Sequence, residues 1–227
     1  MSRLFVQPHS WKTASSESRI DMFITFEGID GCGKSSQTKR LLKRLNDEGI
    51  KTILVREPGG TPISEEVREI LLDNRSKGMS DRTEALLMTA SRAQLTYETI
   101  LPNLELGHWI IADRYADSTL AYQGGGREIN LEWLIQLNHF ATFEIQPNLT
   151  FIVDVMPEEA FRRKTGENDR IESEGIAFQN EVRKKYGDLI KLFPDRIVLV
   201  DGHKSEEEIH NTIWEELVRR DYFNEKK

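Results

Sequence analysis

The chain has 227 residues, 38% of them hydrophobic, which suits one good-sized α/β domain or two small ones, and its longest apolar runs fall far short of a membrane span. Its formal net charge of −7 makes it a poor nucleic-acid binder unless basic residues cluster. They stand instead as singles and pairs, an arrangement that suits a small anionic ligand and gives no reason to expect nucleic acid or membrane as a partner.

Residues 1–21, MSRLFVQPHSWKTASSESRID, carry neither helical nor strand periodicity and no long apolar stretch, so they read as a disordered extension and not as a secretory signal. Met22 opens an expected strand, 22–27 (MFITFE), and GIDGCGKSS follows at 28–36. Gly28, Gly33, Lys34 and Ser35 fit the phosphate-loop spacing G-x-x-x-x-G-K-[ST], with a strand before and a helix expected after, at about 35–46. The candidate ATP site is therefore Gly28, Ile29, Asp30, Gly31, Cys32, Gly33, Lys34, Ser35 and Ser36. Backbone N–H groups of such a loop, and the helix N-terminus behind it, point at phosphate oxygens. Lys34 is placed to reach the β- and γ-phosphates and the Ser35 hydroxyl to ligate Mg²⁺. Cys32, the only cysteine, fills a free position of the loop, excludes an internal disulfide and fits a cytoplasmic protein.

Strand 51–55 runs into REPGGTP, a loop by its Gly and Pro content, and a helix is expected at about 63–73. Another spans about 81–100, with Asp81-x-x-Glu84 fitting a capping box. Strand 108–113 (HWIIAD) ends in Asp113, as a Walker B strand ends in a carboxylate for Mg²⁺, and Arg114 beside it suits a bidentate phosphate clamp. Helices follow at about 116–122 and 130–142, then strand 149–155, a helix at 157–164, a polar segment TGENDRIESEG, a helix at 175–192, strand 196–201, a helix at 205–220 and a tail, 221–227. Short apolar strands alternating with helices mean a parallel sheet covered on both faces, a three-layer α/β/α domain over 22–220, with ligands at the carboxyl ends of the strands.

The ordered set GIDGCGKSSQ, REPGGT, LLMTASRAQ, DRYADSTLAYQGGGR and DRIE, spread over residues 22 to 220, resembles thymidylate kinase of the bacterial type. The resemblance implies a P-loop nucleoside-monophosphate kinase fold with a five-stranded parallel sheet and a movable lid at about 162–174. It implies transfer of the γ-phosphate of ATP to dTMP with Mg²⁺, by a protein that is usually a homodimer. Carried onto matching residues, it puts Glu57 and Pro58 in the monophosphate site and Arg68 and Arg114 on the acceptor phosphate. Asp30 falls near the sugar 3′-hydroxyl and the metal, and Arg92 on a thymine carbonyl. Ser118, Thr119, Tyr122 and Gln123 line sugar and base, with Tyr122 crowding a ribose 2′-hydroxyl. Met88 stands where the family usually stacks a phenylalanine on thymine; a thioether covers a ring more loosely.

A monophosphate acceptor has its second pKa at about 6, so it is largely a dianion at neutral pH and needs no general base. What the site needs is positive charge between two anions. Lys34, Arg68 and Arg114 supply part of it, and Lys34 and Arg114 are the expected catalytic residues of the loop and strand. Some thymidylate kinases carry a further arginine inside the phosphate loop, where this chain has Gly31; the bacterial type draws it from the lid. Arg162, Arg163, Lys164 and Arg170 are the basic residues there, with Arg163 and Lys164 the first candidates. The competing readings are a kinase for another nucleoside monophosphate and a phosphate-loop ATPase switch.

Overall fold

The computed structural model describes residues 22–164 and 166–223; the expected extension 1–21 and residues 224–227 of the expected tail lie outside them. Five parallel strands, β1 (Phe23–Glu27), β2 (Thr52–Arg56), β3 (Trp109–Asp113), β4 (Leu149–Asp154) and β5 (Ile197–Asp201), form one sheet in the order β2-β3-β1-β4-β5. Every residue of β1 is buried, as a central strand covered on both faces requires. The register sets Phe26 and Arg56 beside Asp113, and Glu27 beside Ile152, so the charged strand ends gather at one edge of the sheet.

The helices are α1 (Lys34–Asp47), α2 (Pro62–Leu72), α3 (Asp81–Leu95), α4 (Leu101–Glu105), α5 (Ala116–Ala121), α6 (Leu131–Ala141), α7 (Pro157–Arg163), α8 (Gly175–Leu192) and α9 (Glu206–Arg219). Two expected helices are divided. The span 81–100 is α3 followed by one π turn, Thr96–Ile100, before α4; the span 116–122 is α5, which widens into a second π turn, Tyr122–Gly126. The second widening has a visible cause in QGGGR. A Cβ on Gly125 would lie 2.9 Å from the Glu181 carbonyl oxygen, and one on Gly126 would lie 2.2 Å from the Phe178 ring, so only glycines let this turn press against α8.

The capping-box reading of Asp81 and Glu84 is corrected. The N-cap of α3 is Ser80, whose hydroxyl accepts from the Thr83 N–H at 3.2 Å, and Glu84 turns its carboxylate into the protein, where it is 1% exposed. The tail expected from 221 is in part packed: Phe223 stacks on Trp109, ring centroids 5.6 Å apart, and lies 4.9 Å from Trp214. Among the described residues no helix is long and apolar enough to cross a membrane.

Candidate active site

The loop between β1 and α1 folds as its glycines dictate. Gly31 has φ 83° and Gly33 φ 100°, both in the left-handed region that L side chains avoid. A Cβ on Gly31 would sit 2.3 Å from the Ala160 carbonyl oxygen, so the loop and α7 touch backbone to backbone. Lys34, Ser35 and Ser36 form the first turn of α1. The Lys34 ammonium is 5% exposed and donates to the Ile29 carbonyl at 3.0 Å, with the Asp30 carboxylate 3.9 Å away. The Ser35 hydroxyl donates to the Asp113 carboxylate at 2.5 Å, so the two residues expected at the metal meet.

These groups open into a cavity of about 220 Å³. From the expected ATP set, Asp30, Lys34 and Ser35 line it; from the expected dTMP set, Asp30, Glu57, Pro58, Arg68, Met88, Arg92, Arg114, Ser118, Thr119, Tyr122 and Gln123 all do. Arg114 takes φ 73°, a strained value for a residue with a side chain, and its Nη2 donates to Asp30 at 2.6 Å and to the Tyr122 hydroxyl at 3.0 Å. Burial alone raises the Asp30 pKa, but the Arg114 guanidinium and then Lys34 overcome it and hold the carboxyl well below the usual range. Arg68 Nη1 donates to the Pro58 carbonyl at 2.8 Å, beyond the cis Glu57–Pro58 bond. Burial, followed by the neighbouring charge of Arg56, lowers the Arg68 pKa from its ordinary value. Cations crowded this way favour an anion among them.

Arg92 is 2% exposed, and each of its guanidinium nitrogens donates to the protein. Nε and Nη2 face the same Glu57 oxygen at 2.8 and 2.7 Å, Nη1 donates to Thr119 Oγ1 and Asn138 Oδ1, each at 2.8 Å, and Nη2 also donates to the Tyr115 carbonyl at 2.9 Å. Burial pushes the Glu57 carboxyl up to about 7 against the pull of Arg92, and its Oε1 is buried with no hydrogen-bond partner. Met88 lines the cavity and also packs on the core.

The four basic lid residues separate. Arg170 is 6% exposed; it donates from Nε to the Leu71 carbonyl at 2.8 Å and from Nη1 to Glu84 at 2.7 Å, which makes it the fastening of the lid to α2 and α3. Arg163 is turned to Glu159 and to the Gly202 carbonyl, at 2.9 and 2.8 Å, outside the cavity. Arg162 also pairs with Glu159. Lys164 pairs with Glu172 and donates to Asn168 at 2.8 Å, lining a small recess beside Ile29 and Asp30. Of the basic residues in 162–164, Lys164 is the one that lines this recess with phosphate-loop residues.

Several residues of the site escape a reading of the sequence. Glu27, fully buried at the end of β1, accepts from the Tyr115 and Ser118 N–H groups and from the Ser118 and Tyr186 hydroxyls, at 2.8, 3.2, 2.5 and 2.7 Å, and so fixes the chain beside Arg114. Its signal was an acid closing a mostly apolar strand. Leu72, Asp169, Ile171 and Glu172 also line the cavity; the last three belong to the DRIE stretch.

A phosphate loop at the carboxyl edge of a 2-3-1-4-5 parallel sheet, facing a second anion pocket under a basic lid, defines a nucleoside-monophosphate kinase of the P-loop type. The family model for thymidylate kinase matches residues 26–213. The chain is 44% identical to the thymidylate kinase of Symbiobacterium thermophilum over 195 residues, covering 86% of this chain and 91% of that one. It is 48% identical to the thymidylate kinase of Thermosipho africanus over 185 residues, 81% and 91% of the two chains. The crystal structure of thymidylate kinase from Ehrlichia chaffeensis superimposes with a TM-score of 0.70 at 33% identity, covering 86% of this chain and 98% of that one. The chain belongs to the thymidylate kinase family, and its activity is the phosphorylation of dTMP in nucleotide synthesis.

Proposed function

We propose that ATP sits on the loop 28–36 and dTMP in the cavity beyond it, and that the Ser35 hydroxyl and the Asp113 carboxylate are the residues that would hold Mg²⁺. The observation that carries this reading is that one cavity is lined by both sets of groups, Lys34 with the hydrogen-bonded Ser35–Asp113 pair, and Arg114 with Arg68. Two hard oxygen ligands suit Mg²⁺, which keeps waters and phosphate oxygens for the rest of its shell. When bound, the ion neutralises charge on the ATP phosphates. Lys34 then exchanges the Ile29 carbonyl for a phosphate oxygen. Arg68 and Arg114 hold the acceptor dianion in line, and Tyr122, braced by Arg114 and Asp30, closes the space a ribose 2′-hydroxyl would need. Lys164 is the lid cation assigned to the transferred phosphoryl group, with Arg163 reaching it only if the lid moves.

We also assign the chain to the cytoplasm and to a homodimer. Phe140, Tyr97 and Phe143 are 86%, 65% and 48% exposed, and the last two lie in ring contact at 6.0 Å, an apolar surface of the kind a second copy covers. Sedimentation checks the dimer. ADP release with ATP and Mg²⁺, measured alone and with dTMP, dUMP, UMP or dCMP, checks the site: turnover strictly dependent on dTMP or dUMP is expected, and acceptor-independent turnover would make the chain an ATPase.

A further inference from the structure

Glu84 is a carboxylate that the reaction does not touch, yet every acceptor position on it is in use. Oε1 accepts from Gln123 Nε2 at 2.9 Å and from Arg127 Nε at 3.1 Å; Oε2 accepts from Arg127 Nη2 at 3.0 Å and from Arg170 Nη1 at 2.7 Å. We propose that Glu84 is the positioning residue that fixes the Gln123 amide and thereby selects which base the acceptor cavity takes.

The argument is one of donors and acceptors. A carboxylate gripped by two guanidinium groups stays ionised and can only accept. The Gln123 amide must therefore turn its NH₂ toward Glu84, because the flipped amide would set a carbonyl oxygen against a carboxylate oxygen in a buried place. That leaves Gln123 Oε1, an acceptor, for the cavity that Gln123 lines. A base with a ring N–H at that point, thymine or uracil, donates to it. Cytosine presents a ring nitrogen lone pair instead, acceptor against acceptor. Arg92 is buried and already donates four hydrogen bonds to the protein, whereas Gln123 has its acceptor ready. Arg127 is held as firmly as the carboxylate it serves. It also pairs with Glu174 at 2.6 Å and lies over the Phe178 ring at 4.7 Å, and the glycines before it admit α8 that closely.

This inference rests on the cavity being the dTMP site, and its test separates the two. The experiment measures kcat and KM for dTMP, dUMP and dCMP in the wild type, Glu84→Gln, Gln123→Met and the double variant. In Glu84→Gln the arginines claim the one remaining oxygen, the new amide N–H faces Gln123, and the Gln123 amide turns over. The preference in kcat/KM for dTMP over dCMP is expected to narrow about tenfold, the size of one buried mismatched polar contact. A fall in kcat shared by all acceptors is also expected, from the weakened Arg170 fastening, and is not diagnostic. In the Gln123→Met background the same change at 84 should leave the preference where it is. An unchanged preference in Glu84→Gln, or equal narrowing in both backgrounds, overturns the proposal. A dTMP KM untouched by Gln123→Met removes the reading of the cavity, and the proposal with it. If Glu84→Gln melts below assay temperature, Glu84→Asp, which keeps the charge but shortens the reach, is read by the same ratio and the same pairing with Gln123→Met.

Discussion

Arg92 and Arg163 both belong to the expected site, and the molecule holds them in opposite ways. Arg92, on α3, is buried and donates to Glu57 of the REPGG loop, to Thr119 on α5, to Asn138 on α6 and to the Tyr115 carbonyl just before α5. Arg163 is one-third exposed and pairs with Glu159 on its own short helix and with the Gly202 carbonyl, just past the end of β5. Breaking a buried network strands a charge and is strongly destabilising, whereas an exposed pair contributes about 0–1 kcal/mol and exchanges partners freely. The acceptor end is thus built in advance, and the basic residues 162–164 are parked on local glutamates until something better arrives.

That contrast can be broken at several points. The largest effect is expected at the one donor-end cation that is already buried: Lys34→Ala should lower kcat by about 10³-fold or more, measured with saturating ATP and dTMP. Next come the parked lid residues. Lys164→Ala should lower kcat by about 10²-fold with little change in ATP affinity, as befits a contact made mainly in the transition state, and Arg163→Ala by less. The reverse order would mean that closure carries Arg163 inward from Gly202 and leaves Lys164 on Glu172.

At the acceptor end the expected signature is thermodynamic. Glu57 has its pKa raised by burial to about 7, so the folded state holds a proton that the unfolded state has lost above about 4.5. Its contribution is fully present below that value and is lost as pH rises through 7. Glu57→Gln cannot titrate, so relative to wild type it should gain on the order of 1–3 kcal/mol between pH 5 and pH 8. Thermal melts of both proteins across that range give the difference curve, and a flat one would refute the raised pKa. The smallest effect belongs to Arg162, which is 75% exposed beside Glu159: Arg162→Ala should leave the melting temperature unchanged.

Much of this was legible beforehand, because the signals involved are local. Five apolar runs gave five strands whose ends differ from the expected ones by about one residue. The glycines and Lys34-Ser35 of the phosphate loop carry their conformation in their own spacing. Residues whose role comes from contacts remote in the chain were not legible. Glu84 lies three residues after Asp81 and so looked like a helix cap, while its partners are Gln123, Arg127 and Arg170, as many as 86 positions away. The π turn at Tyr122–Gly126 depends on a helix that begins some fifty residues later. Likewise the lid's basic residues lie close in sequence but face different neighbours, and only their partners tell Arg170, a fastening, from Lys164, a candidate for transfer.

Gly31 bears on how this enzyme could be redesigned. Since the Ala160 carbonyl already occupies the space where a side chain at 31 would start, placing an arginine there is not a point exchange: α7, which carries Arg162 and Arg163, would have to withdraw first. A graft of the loop alone therefore trades one source of charge for another instead of adding to it. An engineer wanting both must move the helix together with the loop.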